Sequence, residues 1–142
     1  YGFVATLEDL LTRNKSGKSA LTVRAGGVLP PQRIFEYEDD WVAAITDTGR
    51  LLIFALAELP QLNRGKGVKL INIPAARHKA GDEKLQSVAV FREGDSLRLF
   101  AGKQHMRLKP KDIDTFVGSR AQRGRALPRG YKRATAVEII LA

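Results

Sequence analysis

Apolar residues in this chain gather into short runs separated by glycine, proline and charge, and no run keeps the 3.6-residue spacing of a long helix. The clearest run, Trp41-Val-Ala-Ala-Ile-Thr46, stays apolar almost to its end, as expected of a strand covered on both faces. Asp47-Thr48-Gly49 then reads as a hairpin turn, Arg50 to Ala55 as the returning strand, and Glu58-Leu59-Pro60 as its stop. Further strands are predicted at Phe3 to Leu7, Lys18 to Val23, Gln32 to Tyr37, Val68 to Ile73, Leu85 to Phe91, Ser96 to Phe100, Gln104 to Leu108 and Thr135 to Leu141. Glu8-Asp9-Leu10-Leu11 reads as a single helical turn, Lys109 to Asp114 as a turn, and residues 74 to 84 as a polar loop.

These elements fall into a unit that occurs three times: a strand ending in glycine, an apolar-edged strand, an acidic or proline-marked turn, a basic glycine-rich loop and a closing apolar strand. Aligned on Gly2, Gly49 and Gly102, the copies recur roughly 50 residues apart, a period typical of propeller blades and related arrays. Short strands at steady spacing predict an all-β repeat array, because each unit alone would leave an apolar face in water and neighbours must stack to cover it. The expected organisation is a single domain over 1–142, with units at 1–39 (incomplete), 40–94 and 95–142. Because Gly2 lacks the strand that precedes Gly49 and Gly102, further units are expected upstream in a longer parent protein.

Charge sharpens the reading. Lys and Arg number 24 against 15 acidic residues, a net charge of +9 that points to a polyanionic partner. There is no cysteine, which excludes thiolate catalysis and cysteine-ligated zinc within this chain. No apolar run approaches the roughly 20 residues that cross a bilayer. The cations sit beside glycines in one stretch of each unit: Arg13-Asn-Lys-Ser-Gly-Lys18, Asn63-Arg-Gly-Lys-Gly67 and Gly118-Ser-Arg-Ala-Gln-Arg-Gly-Arg125. Glycine lets backbone N–H groups approach a phosphate and the cations add charge-assisted hydrogen bonds. The expected duplex-DNA contacts are therefore Arg13, Lys15, Lys18, Arg64, Lys66, Lys69, Arg120, Arg123, Arg125 and Arg129, with Gly17, Gly65, Gly67 and Gly124 shaping the loops. With no recognition helix and few Asn or Gln in the loops, backbone and shape readout is expected in place of base reading.

Other constellations carry less chemistry. His78 and His105 have no carboxylates at ligand spacing, so surface or DNA-facing roles are expected and no metal site. Tyr1 and Tyr37 lack a cluster that would activate a phenol, and Tyr131 reads as packing or stacking beside a basic loop. Glu38-Asp39-Asp40 reads as a solvated turn, and Trp41, Phe54, Phe91 and Phe100 as core. No His, Asp and Ser set converges in repeat register, so no catalytic residue is expected.

Ile45-Thr-Asp-Thr-Gly49, Leu59-Pro-Gln-Leu-Asn-Arg-Gly-Lys-Gly67 and Lys69-Leu-Ile-Asn-Ile-Pro74 resemble the repeats in the C-terminal domains of bacterial type IIA topoisomerase A subunits, the topoisomerase IV branch most closely. The likeness extends from Gly2-Phe-Val-Ala-Thr-Leu-Glu-Asp-Leu to Arg123-Gly-Arg-Ala-Leu-Pro-Arg-Gly130. It implies a β-pinwheel, here about three blades of a larger disc, whose basic rim binds and bends DNA without catalysis. It further implies that the parent directs decatenation and relaxation during chromosome segregation, uses Mg²⁺ and ATP outside this chain, pairs with a B subunit in an A2B2 assembly, and meets a condensin of the Muk type. A cytoplasmic, nucleoid-associated location follows, with peripheral membrane association admitted for the parent. Against the gyrase box Gln-Arg-Arg-Gly-Gly-Lys-Gly, Gln61, Gly65, Lys66 and Gly67 match while Leu62, Asn63 and Arg64 depart, which counts against active supercoiling. The alternatives are a gyrase-type DNA-wrapping domain and a protein-interaction propeller that meets an acidic partner.

Overall fold

A computed structural model describes residues 1–23 and 26–142. In chain order the elements are α1 (Leu7–Leu10), β1 (Trp41–Thr46), β2 (Arg50–Ala55), α2 (Ala75–Lys79), β3 (Leu85–Phe91), β4 (Ser96–Ala101), β5 (Gln104–Leu108), α3 (Pro110–Ile113), β6 (Arg125–Ala126) and β7 (Ala136–Ile140). They build two antiparallel sheets, one in the order β3-β1-β2-β6 and one in the order β5-β4-β7. Each sheet starts from a tight hairpin, and left-handed glycines turn both of them, Gly49 at φ 83° and Gly102 at φ 63°.

The unbroken apolar run of β1 has its reason in the packing. Ala43, Ile45, Leu51 and Ile53 point to one core, which they share with Phe91, Leu97, Leu99, Leu108, Ile113, Phe116 and Leu127. Their neighbours Val42, Ala44, Leu52 and Phe54 point to a second core with Leu56, Leu59, Leu70 and Ile71. Period-two alternation thus sends successive side chains to opposite faces, and both faces are covered. One face meets the second sheet. The other meets irregular chain from the first unit, including Val4, Ile34 and Tyr37.

Several predicted strands dissolve for identifiable reasons. Val68 to Ile73 makes a bridge only at Val68 and then bends, because consecutive Leu70 and Ile71 are both buried and an extended strand would drive one of them outward. Gln32 to Tyr37 loses its ladder to a side chain: the Asp40 carboxylate accepts the Phe35 and Glu36 N–H groups, and a turn closes from Glu36 to Asp39 and Asp40. Lys18 to Val23 bridges only at Leu21, to Gly65. Phe3 to Leu7 is likewise reduced to a bridge at Val4 before α1 begins, with Thr6 capping it. The polar stretch after Pro74 opens with α2, and Pro110 starts α3 at the expected turn.

The repeat register also needs correction. Gly2 exchanges two backbone hydrogen bonds of 2.9 Å with Val68, as an antiparallel pair. In the next unit the corresponding pair is Leu51 with Arg125. Gly2 therefore holds the strand position of Leu51, two residues beyond Gly49, and is not a hairpin glycine. Phe100 is only partly buried, whereas Phe54 and Phe91 are core as expected and Trp41 lies half-buried at its edge.

Candidate nucleic-acid interface

The second and third basic loops share one backbone device. Gly67 (φ 79°) presses its backbone on the strand residue Gly2, where an added Cβ would lie 2.0 Å from the Gly2 carbonyl oxygen. Gly124 (φ 75°) does the same against Leu51, where a Cβ would lie 2.8 Å from the carbonyl oxygen. Gly17 of the first loop is also left-handed, at φ 86°, and has open space around it. Gly65, at φ 129°, completes the four loop-shaping positions.

Backbone hydrogen bonds string these loops together. The stretch after the first loop pairs with the second: Gly65 N donates to Ala20 O and Thr22 N to Gly65 O, at 2.9 and 3.0 Å. The stretch after the second pairs with the third at matching positions, with donor and acceptor now on adjacent residues: Ala121 N donates to Leu70 O and Asn72 N to Gln122 O, each at 2.8 Å. Repetition of one pairing between successive units places the loops on corresponding sides of the stack.

Along this row Arg13, Lys15, Lys18, Arg64, Lys66, Arg125 and Arg129 are exposed. Lys18 donates to the Asp9 carbonyl, and Lys66 sits 4.2 Å from the ring centroid of Tyr1. Lys69, Arg120 and Arg123 are partly buried, and the two arginines are engaged within the fold. Arg120 Nη1 donates to the Lys69 carbonyl at 2.8 Å while its backbone N–H donates to Glu58. Arg123 Nη2 is bound to Glu83 Oε1 at 2.6 Å. Lys66 and Arg123 hold the same place, one residue before the left-handed glycine. One is presented to solvent and the other is drawn inward by a carboxylate.

Glu83 is the residue that sequence reasoning missed. Asp82-Glu83-Lys84 reads as ordinary polar loop, yet the Glu83 side chain is wholly buried. It accepts from Thr48 at the β1–β2 turn, from Arg77 Nε on α2 at 3.3 Å and from Arg123 in the third loop. No sequence signal marks it, because Thr48 and Arg123 lie far along the chain and nothing local announces that they converge here. Burial alone would push its carboxyl upward, but hydrogen bonds from Thr48, Thr46 and Arg123 outweigh that and hold it at about 2, against an ordinary 4.5. A folded value below the unfolded one contributes stability that is fully present above the unfolded value and lost as pH falls toward the folded one. Stability should therefore decline by about 3 kcal/mol between pH 5 and 2. Urea midpoints measured across that range should fall less in Glu83→Gln than in the parent chain.

The histidines, tyrosines and acidic turn have plain placements. His78 is exposed on α2, and His105 is exposed on β5 with its ring 6.0 Å from that of Phe100. The Tyr37 hydroxyl donates to the Leu59 carbonyl, and Tyr131 packs against the core between the sheets. Asp40, expected as part of a solvated turn, is buried.

Comparison with known proteins agrees with this geometry. A family model described as the DNA gyrase C-terminal domain, a β-propeller, matches residues 40–92. The A subunit of DNA topoisomerase 4 from Pseudomonas aeruginosa is 45% identical over 134 residues, which cover 94% of this chain and 18% of that protein. Its counterpart from Salmonella typhimurium is 40% identical over 139 residues, covering 98% of this chain and again 18% of the relative. The solved C-terminal domain of E. coli ParC superposes with a TM-score of 0.81 at 36% identity, over all of this chain and 57% of that one. A second solved structure, a topoisomerase IV C-terminal domain with a TM-score of 0.72 at 19% identity, shares the fold over 89% of this chain and 38% of that one. The chain thus spans less than a fifth of the length of the relatives it matches.

Proposed function

The chain belongs to the family of gyrase A-type C-terminal domains, in the branch of topoisomerase IV A subunits, and from that premise we propose that it binds and bends duplex DNA through its row of basic loops. The observation that carries the proposal is the repeated backbone pairing that aligns three glycine-turned loops, each with exposed cations. Such a surface follows the phosphate backbone and discriminates little among bases. The chain holds no part of the DNA-cleaving chemistry in this reading. It selects and orients a duplex for a parent topoisomerase, whose Mg²⁺ and ATP sites lie elsewhere and which works with a B subunit toward decatenation and relaxation. A condensin contact belongs to the same proposal.

Two features support topoisomerase IV-type bending over gyrase-type wrapping. Leu62, Asn63 and Arg64 depart from the gyrase box, and Leu62 donates its backbone N–H to Val4, so this part of the loop is tied to the neighbouring unit. Among the described residues no helix is long and apolar enough to cross a membrane.

The test is binding to random-sequence duplex at increasing salt. Affinity should fall steeply, with a log–log slope of about −0.9 per neutralised phosphate. Replacing Arg64, Lys66 and Arg125 by Gln should weaken binding at least about tenfold and reduce the slope by about 2 to 3, with the urea midpoint unchanged. These three are chosen because each is exposed and makes no ion pair among the described residues, unlike Arg123. Unchanged affinity in the triple variant would remove the loop assignment, and negligible DNA binding at low salt would favour a protein partner.

A further inference from the structure

A cluster of acidic side chains on this basic chain lies away from the third basic loop. At the end of the first sheet where Trp41 of β1 pairs with Phe91 of β3, a cleft of about 460 Å³ opens. Its walls carry the carboxylates of Glu36, Glu38, Asp39 and Glu93, and the half-buried Trp41 forms part of its lining. The third basic loop meets this sheet on β2, where Arg125 pairs with Leu51. β2 runs from Leu51 to Ala55, the partner of Trp41 on β1, so Trp41 and Ala55 lie roughly 13 Å along the sheet from Leu51.

Three observations say what the cleft would hold. None of Glu36, Glu38, Asp39 or Glu93 has an ion-pair partner among the described residues, in a chain with 24 Lys and Arg. The cation nearest to hand, Arg92, also lines the cleft, yet its guanidinium lies over the ring of Phe35 at 4.9 Å, with Arg33 at the same distance from that ring. Asp40, which lines the cleft as well, is only 3% exposed; its Oδ2 accepts the Phe35 and Glu36 N–H groups, while its Oδ1 is buried with no hydrogen-bond partner. A carboxylate with one orphaned oxygen, four carboxylates without ion-pair partners around it and the half-buried Trp41 in the lining together make a site of negative charge beside an aromatic side chain.

We propose that this cleft is a docking site for a cationic peptide segment of a partner protein, with a Lys or Arg side chain set against Trp41 and the surrounding carboxylates. Charge complementarity selects the occupant: the carboxylates disfavour DNA, and a basic segment that is repelled on average by a chain of net charge +9 finds local attraction among them. The proposal is independent of the DNA-binding loops, and one bound segment would leave them free.

Trp41 is the single tryptophan, so its fluorescence reports the cleft directly. A peptide of alternating lysine and glycine should give a saturable change in Trp41 emission that weakens with salt, and its glutamate counterpart should give none. The double variant Glu38→Gln/Glu93→Gln should bind the lysine peptide at least about tenfold more weakly. Both side chains are exposed and make no hydrogen bond among the described residues, so the variant should fold like the parent chain. The variant Arg64→Gln/Lys66→Gln should leave peptide binding unchanged. Absence of a saturable change, or equal affinity in the Glu38→Gln/Glu93→Gln variant, would overturn the proposal. It would also be overturned if sedimentation showed the chain associating with itself through this cleft, an association lost in the same variant, because the occupant would then be the basic loops of a second copy.

Discussion

Replacing Glu83 by alanine is expected to cost about 3 to 5 kcal/mol of folding stability, a large share of the roughly 10 kcal/mol available to a domain of this size. The substitution removes the acceptor for three donors from separate parts of the fold: Thr48 at the first hairpin, Arg77 on α2 and Arg123 in the third loop. Arg123 would then carry a charge into a partly buried position where its Nη1 already lacks a hydrogen-bond partner. Breaking one side of a buried pair is far more damaging than replacing both, since the remaining charge keeps its desolvation cost. Glu83→Gln should cost less, because an amide oxygen still accepts from Thr48 or Arg123 without repaying the full charge. Urea denaturation measures both, and a loss below about 1 kcal/mol for Glu83→Ala would mean that the network contributes little. The double variant Glu83→Leu/Arg123→Leu should recover part of the loss.

Gly124→Ala is the second large effect, and Gly17→Ala is its control. Both glycines have left-handed backbones, at φ 75° and 86°, so an alanine at either position carries a conformational cost of about 1 to 2 kcal/mol. At Gly17 nothing lies within 4 Å of the added Cβ, and that cost should be the whole effect. At Gly124 the Cβ would lie 2.8 Å from the Leu51 oxygen and 3.0 Å from its carbonyl carbon. Leu51 is wholly buried in β2 and paired on both sides, with Ile45 and with Arg125, so its backbone cannot withdraw. The third loop must lift instead, giving up the β6 pairing. A total of about 3 kcal/mol or more is expected, with faster amide exchange at Arg125 and Leu127. Equal losses for Gly124→Ala and Gly17→Ala would show that the loop is not held against the sheet. Gly67→Ala makes a closer contact, 2.0 Å, but against Gly2, whose strand pairs only at single positions and can peel away. Its cost is capped by the little that this strand contributes.

Much of this is legible in the sequence, and the reason differs from element to element. β1, β2, β3, β4, β5 and β7 lie at or within a residue of their expected bounds, because their apolar runs are flanked by Gly, Asp and Pro and the runs alone specify a two-faced strand. The all-β propeller-like array follows from their spacing. The first unit holds less strand than its composition predicts: Lys18 to Val23 and Gln32 to Tyr37 have suitable residues, but strand state needs a partner along its length, and composition carries no information about one. Among the binding candidates, Arg13, Lys15, Lys18, Arg64, Lys66, Arg125 and Arg129 are exposed. The guanidinium groups of Arg120 and Arg123 are turned into the fold by the Lys69 carbonyl and by Glu83. A run of cations looks the same whether or not a carboxylate from elsewhere reaches it.

Local chemistry therefore determined what could be written by neighbours along the chain: where strands begin and stop, where glycine must turn left-handed, and that the loops carry excess positive charge. The fold decided everything that depends on residues brought together from far apart. It chose which of two equivalent cations, Lys66 or Arg123, faces solvent, buried Glu83 beneath three donors, and gathered Glu36, Glu38 and Glu93 around Trp41. The physical reason is range: turn and strand preferences act over a few residues, whereas burial and ion pairing are set by what packs opposite, and only the assembled sheets determine that.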